Sequence, residues 1–328
     1  MFLTGVKSIS DLKRYQKHIE NKLKKIISQD GSIYGAAGYI LNAGGKRIRP
    51  LITLLACESV GGNFKLALDA AVAIEILHTF TLVHDDIMDN SDTRRGLPTI
   101  HKKWDMETAI LSGDLLAGLA FKSLIKTNTT KLSEVALVFA QAFIDVCEGQ
   151  DLDIAYGKKN SVSVEEYYTM IGKKTAAMIS AAAEIGGIIG GGTVKEITAL
   201  RNYGTHIGIA FQIKDDLLDM LGDVHSIGKQ AGKDIIEGKK TFLLLTALEK
   251  AKGTDLKVLE KISRRRKIDQ SDIKSVRRVY EKLGIFNSAE KEINSHIRNA
   301  KCELRKIPES DARDMLLKVA DKILKRNN

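Results

Sequence analysis

The chain has 328 residues, 44% hydrophobic and 28% charged, with three cysteines, three prolines and a formal charge of +10. This balance reads as a soluble globular protein, and the scattered Cys57, Cys147 and Cys302 form no disulfide framework. No stretch approaches the roughly 20 uncharged apolar residues that span a bilayer, and MFLTGVKSISDLKRY lacks the marks of a secretion signal, so a cytoplasmic location is expected.

Leu, Ile and Ala recur at three- and four-residue spacing with few alternating stretches, which predicts helices nearly throughout. A first helical block covers about residues 8–60, broken by the turn GGKRIRP at 44–50. A long apolar helix follows at about 65–89, and then the loop SDTRRGLPT, where Gly96 and Pro98 cannot continue a helix. Further helices are predicted at 106–126, 132–157, 164–189 and 195–221. A loop rich in Gly and Lys, SIGKQAGKDIIEGKK, precedes basic amphipathic helices that run to about 326. The stretch from Ala181 to Gly187 reads as a close-packing face. With no Pro- or Ser-rich linker, residues 1–328 are read as one domain: an all-α bundle of about ten to thirteen helices.

Most of the positive charge sits at one end, with 21 Lys+Arg against 12 Asp+Glu in residues 251–328. Runs such as Arg264–Lys267 and Arg277-Arg278 alternate with apolar residues and read as solvated helix faces in preference to a nucleic-acid surface.

Two apolar helices each carry three aspartates at the same spacing: Asp85, Asp86 and Asp89 in LVHDDIMD, and Asp215, Asp216 and Asp219 in IKDDLLDML. Residues i and i+4 share a helix face, so each cluster crowds like charges that destabilise the helix unless a cation offsets them. Hard oxygen ligands at this density suit Mg²⁺, which keeps waters and bridges carboxylates to substrate phosphates. No Cys or His cluster joins them to favour zinc. One such cluster could be a solvated acidic face; two embedded in apolar helices argue against that. Cationic segments follow each: Arg94-Arg95 after the first, and Lys229, Lys233, Lys239 and Lys240 after the second. Acidic clusters beside Arg and Lys describe a site for a metal-bridged polyphosphate.

GGKRIRP, LHTFTLVHDDIMDNSDTRRGLPT, Lys174-Thr175, and GIAFQIKDDLLDMLGD with GKQAGKDIIEGKKT resemble, in the same order, the motifs of the trans-isoprenyl diphosphate synthases (polyprenyl synthetases). The resemblance runs from about residue 40 to 245, and its details are most similar to archaeal-type short-chain geranylgeranyl diphosphate synthases. It implies an isoprenoid-synthase bundle around a central apolar cavity, and a homodimer without nucleic-acid partner or transmembrane segment. The implied reaction condenses isopentenyl diphosphate with dimethylallyl, geranyl or farnesyl diphosphate by ionisation, condensation and elimination. The main product would be geranylgeranyl diphosphate, with farnesyl diphosphate as the alternative.

The resemblance also implies a division of labour. Asp85, Asp89 and Asp215 would hold Mg²⁺ at the allylic diphosphate, with Asp86, Asp216 and Asp219 completing inner or outer shells. Three ions are implied with substrate bound, and Mn²⁺ is a substitute. Arg94, Lys174 and Lys229 would bind the allylic diphosphate; Lys46, Arg49, His78 and Arg95 would hold that of isopentenyl diphosphate, and Lys239 would join the cationic lining. Thr175 and Gln212 would turn oxygen dipoles toward the allylic cation, and Phe211 would pack near the homoallylic substrate. His84 reads as a supporting residue rather than a ligand, and Gln150, Asp151 and Asp153 as either metal support or ordinary helix polarity. Phe80, five positions before Asp85 and so roughly 7.5 Å along the helix, would limit the growing tail; the small neighbour Thr81 favours C20 over C15.

Two departures stand out. KKTFLLL lacks the proline often found after this Lys-Thr segment, and the tail DKILKRNN only partly resembles the basic tails that close over isopentenyl diphosphate, leaving Lys325 and Arg326 as candidates. The competing readings are an HD-type metal phosphohydrolase starting from His84-Asp85, a terpene cyclase or head-to-head synthase, and a non-catalytic regulatory subunit or basic nucleic-acid binder. The first needs further histidine ligands, the second lacks a place for GGKRIRP, and the regulatory reading expects lost aspartates where all six remain.

Overall fold

The backbone follows the three- to four-residue apolar period. The computed structural model describes residues 5–27, 31–222, 232–263 and 268–325. Helices α1 (Gly5–Ile26), α2 (Ser32–Asn42), α3 (Ile48–Ser59) and α4 (Leu68–Met88, entered through a 3₁₀ turn at Phe64–Ala67) come first. A two-stranded hairpin, β1 (Thr93–Arg94) and β2 (Leu97–Pro98), leads to α5 (Ile100–Lys103), α6 (Met106–Leu124) and α7 (Leu132–Lys158). Then α8 (Val164–Ile171) passes through a π-helical turn, Gly172–Ala176, into α9 (Ala177–Ile189) and α10 (Val194–Leu221). The remainder is α11 (Lys233–Ile236), α12 (Phe242–Lys250), α13 (Gly253–Ser263), α14 (Gln270–Lys282), α15 (Ile285–Leu304) and α16 (Asp311–Leu324).

The all-α expectation holds. Among the described residues there are sixteen α-helical segments, above the ten to thirteen expected. Gly31 splits the first block at φ 141, the single turn α5 follows directly on SDTRRGLPT, and the single turn α11 lies in a segment read as a loop. SDTRRGLPT is tighter than a loop: Arg95 and Gly96 both have positive φ (54 and 76), which makes a type I′ hairpin turn with Arg94 paired to Leu97.

The chain forms two compact units: Met1–Phe143 with Ala181–Arg201 and Lys306–Leu316, and Ile144–Ser180 with Asn202–Arg305 and Leu317–Asn328. In the first unit α4 packs against α3 and most extensively against α6, and its residues Ala70–Leu77 are all buried. A helix apolar all round belongs in a core. This amends one expectation: Phe64–Met88 does reach membrane-spanning length and hydropathy, but 72% of its most apolar window is buried inside the protein. Ala181–Gly187 is a close-packing face as read. A methyl added at Gly186 would lie 2.3 Å from the Thr53 carbonyl of α3.

In the second unit α12 is the centre, with Phe242–Ala247 buried and α8, α13, α14 and α15 packed on it. The missing proline costs this helix nothing visible, because Thr241 caps it by accepting the Leu244 N–H.

Candidate functional site

The first aspartate cluster closes α4 in the first unit. Asp85 is half-buried, Asp89 is exposed at the C-cap, and Asp86 is buried. The hairpin returns Arg94 onto Asp86, whose Oδ1 accepts from Nε at 2.9 Å and Nη2 at 2.5 Å. Burial pushes the Asp86 carboxyl up, and the Arg94 hydrogen bond opposes that shift. The middle aspartate is thus engaged by protein donors, while its neighbours stand at the helix end.

The GGKRIRP turn supplies the adjoining cations. Lys46 is exposed and Arg49 half-buried, but Arg47, passed over in the sequence reading, is buried with left-handed φ 45. Its guanidinium donates to Glu20 at 2.8 Å, Glu75 at 2.8 Å and the Leu41 carbonyl at 2.6 Å, so it pins the turn to α4. Arg95 donates to the Gly44 carbonyl and lies across Gly45, where a Cβ would sit 3.1 Å from the guanidinium. Only glycine leaves that face open at φ 151. His78 is held well below its ordinary range, first by burial and then by Arg49, Arg95, Arg94 and Arg47. A neutral imidazole therefore sits within the field of four arginines.

Phe80 is 9% exposed, and its ring lies 4.5 Å from His84 and 5.3 Å, edge-on, from Phe143. Thr81 donates to the His78 carbonyl. His84 leans on α6, where a methyl at Gly113 would lie 2.2 Å from Nε2, and approaches the Ile110 carbonyl and Asp114 at 3.5 and 3.9 Å. This is not the histidine-rich metal set an HD-type hydrolase needs.

The second cluster lies on α10 in the second unit. Asp215 and Asp219 are half-buried and Asp216 is buried. Asp216 Oδ2 accepts from Tyr167 Oη at 2.7 Å and the Phe242 N–H at 3.2 Å, and Oδ1 accepts from Gln212 Nε2 at 2.9 Å. The Asp234 N–H donates to Asp219 Oδ2 at 3.1 Å. Burial first, then the neighbouring Asp234, pushes Asp216 up to about 7 and Asp219 to about 6. Sequence reasoning singled out the lysines of this loop and missed Asp234; Lys239 faces it at 3.7 Å, and Lys240 is buried.

The π-helical turn carries Lys174 and Thr175. Lys174 Nζ pairs with Asp153, and Thr175 Oγ1 donates to Gln212 Oε1 at 2.8 Å. Such turns often mark functional sites. This one is seated by two glycines: a methyl at Gly149 would meet the Lys174 nitrogen at 2.2 Å, and one at Gly208 the Ala176 Cα at 2.4 Å. Asp153, Tyr167, Lys174, Gln212, Asp216 and Asp234 line a polar cleft of about 70 Å³. Phe211 is half-buried beside Gln212, and Gln150 is buried, with no hydrogen-bond partner for Oε1. Lys229, Arg264–Lys267 and Arg326 lie outside the described residues.

Among the described residues no three His, Cys, Asp or Glu side chains already converge on a metal position. The donors present are hard carboxylate oxygens, which fit a divalent cation that completes its shell with water and ligand oxygens.

A polyprenyl synthetase family model matches residues 30–282. The chain belongs to the polyprenyl synthetase family. A short chain isoprenyl diphosphate synthase of Methanothermobacter thermautotrophicus is 41% identical over 97% of this chain and 98% of its own. The crystal structure of geranylgeranyl pyrophosphate synthetase from Pyrococcus horikoshii is 39% identical, with TM-score 0.92 over 98% of each chain. A polyprenyl synthase from Caulobacter crescentus, complexed with calcium and isoprenyl diphosphate, is 31% identical, with TM-score 0.90 over 98% of this chain and 97% of that one. With the family shown, the readings as an HD-type hydrolase or a nucleic-acid binder fall away.

Proposed function

We propose that the chain is a Mg²⁺-dependent trans-prenyltransferase that condenses isopentenyl diphosphate with allylic diphosphates, giving mainly geranylgeranyl diphosphate. The observation that carries this reading is the pair of aspartate clusters, each with its middle carboxylate anchored by protein donors and its outer ones at or near the surface. The near-full-length likeness to geranylgeranyl and short-chain synthases supports the product class. The family match runs through 30–282, across both units, which supports reading the chain as one isoprenoid-synthase domain.

Asp85, Asp89 and Asp215 would hold Mg²⁺, three ions with substrate bound, with Mn²⁺ as a substitute. Asp86, Asp216 and Asp219 complete the shells, Asp86 and Asp216 chiefly by orienting their neighbours. When bound, the ions offset charge on the departing diphosphate. Arg94, Lys174 and Lys229 bind that diphosphate, with Lys239 in the same cationic lining. Lys46, Arg49, Arg95 and neutral His78 hold the diphosphate of isopentenyl diphosphate without metal. Fixed cations and dipoles of this kind need no reorganisation as charge develops, which is where most catalytic power lies. Thr175 and Gln212 turn oxygens toward the allylic carbocation, Phe211 packs near the homoallylic chain, and the diphosphate takes the proton lost from the carbon beside the condensed cation as the new double bond forms. No protein base is assigned.

Incubation with Mg²⁺, isopentenyl diphosphate and each of the C5, C10 and C15 allylic diphosphates should yield prenyl diphosphates resolved by length. No product from any of them would end this reading. Phe80, braced by Phe143 and His84, sets the tail length; Phe80→Ser should shift product beyond C20, and an unchanged chain-length profile would remove Phe80 from that role.

The active form is a cytoplasmic homodimer. Leu111 and Phe121 on α6, Ile125 at its C-cap and Leu137 on α7 are 53%, 38%, 62% and 72% exposed, apolar side chains that a second copy would cover. Sedimentation equilibrium should return twice the 36.1 kDa chain mass.

A further inference from the structure

Thr175 and Gln212 end a longer hydrogen-bond chain inside the second unit. Tyr167 Oη donates to Asp216 Oδ2, Gln212 Nε2 donates to Asp216 Oδ1, and Thr175 Oγ1 donates to Gln212 Oε1, at 2.7, 2.9 and 2.8 Å. The directions are fixed from the Tyr167 end. With the phenol and the Phe242 N–H on Oδ2, the ionised Asp216 carboxylate is acceptor-only, so Oδ1 takes the amide NH₂ of Gln212. Gln212 must then turn Oε1 to Thr175, whose single proton is spent on it. Both oxygens are left with only lone pairs to offer, the negative ends of two dipoles.

We propose that Tyr167 is a positioning residue for prenyl transfer: by holding Asp216 it dictates which end of the Gln212 amide meets Thr175, and so fixes the sign of the field at the allylic carbocation. This rests on the prenyl-transfer reading. Tyr167 is 1% exposed, and its ring packs near Tyr168 and Phe242 at 5.9 and 6.3 Å, contacts that phenylalanine would keep. Losing only the hydroxyl leaves Oδ2 with the Phe242 N–H at 3.2 Å. The carboxylate can then rotate, the amide can invert, and an NH₂ can replace an oxygen beside the cation.

The test compares parent, Tyr167→Phe, Gln212→Leu and the double variant, each with Mg²⁺. Tyr167→Phe should lower kcat about 10- to 100-fold, as for a lost hydrogen bond to a charged group, with both KM values within about threefold, the signature of an interaction made in the transition state. Binding of an ammonium analogue of the allylic cation, in the presence of inorganic diphosphate, should weaken by a similar factor, while an uncharged carbon isostere binds as before. Because Tyr167 acts through Gln212, the double variant should be no worse than Gln212→Leu. Equal losses for the charged and uncharged analogues, fully additive losses in the double variant, or parental kcat in Tyr167→Phe would each overturn the proposal. A parent inactive with every allylic diphosphate would remove the prenyl-transfer reading, and this inference with it.

Discussion

Asp85→Asn and Asp215→Asn should each lower kcat by roughly 10²- to 10³-fold and raise the Mg²⁺ concentration needed for half-maximal rate, the size of effect seen when a preorganised polar group is removed from a reacting centre. Each change deletes one negative charge and keeps the side chain's shape, so folding is little affected at these half-buried positions. Asp86→Asn should behave differently. It deprives Arg94 of its anionic partner, so the defect should appear as a raised KM for the allylic diphosphate, with a smaller change in the Mg²⁺ requirement. Steady-state rates across a Mg²⁺ titration separate the two patterns. Asp85→Asn within tenfold of the parent would remove that carboxylate from the metal set.

The contrast between Asp85 and Asp86 shows where sequence reading stops. Spacing alone placed three aspartates on one apolar helix and called for a cation, and both long helices fall within three residues of their predicted bounds. Spacing could not say that the middle aspartate of each cluster is buried and engaged by Arg94 in one case and by Tyr167, Gln212 and a backbone N–H in the other. Those partners come from elsewhere in the chain, and only packing brings them in. The π-helical turn under Lys174 and Thr175 was equally invisible, because KKTA has ordinary helical composition. Gly149 and Gly208 seat it, yet in sequence they look like any helix glycine. Asp234 was hidden among lysines that drew attention as phosphate ligands. Arg47 was hidden too: Lys46, Arg47 and Arg49 look interchangeable until burial distinguishes them.

That distinction carries the largest stability effect expected. Arg47→Ala should destabilise the protein by roughly 3–5 kcal/mol, because removing one partner of a buried pair strands the other charge. Glu75 is 3% exposed, and Arg47 Nη1 at 2.8 Å is the cation beside it. The change also frees the Leu41 carbonyl and Glu20 from the guanidinium, loosening the turn between α2 and α3. Loss of turn geometry should raise KM for isopentenyl diphosphate, since Lys46 and Arg49 flank the anchor, while the allylic KM changes less. The stranded charge and the lost packing can be separated. Arg47→Met with Glu75→Gln removes the uncompensated carboxylate and fills most of the volume, so it should recover a substantial part of the stability lost in Arg47→Ala. Denaturant unfolding of parent, single and double variants measures this. If the double variant is as unstable as the single one, stranded charge is not what makes Arg47 indispensable, and the three-way hydrogen bonding of the turn is.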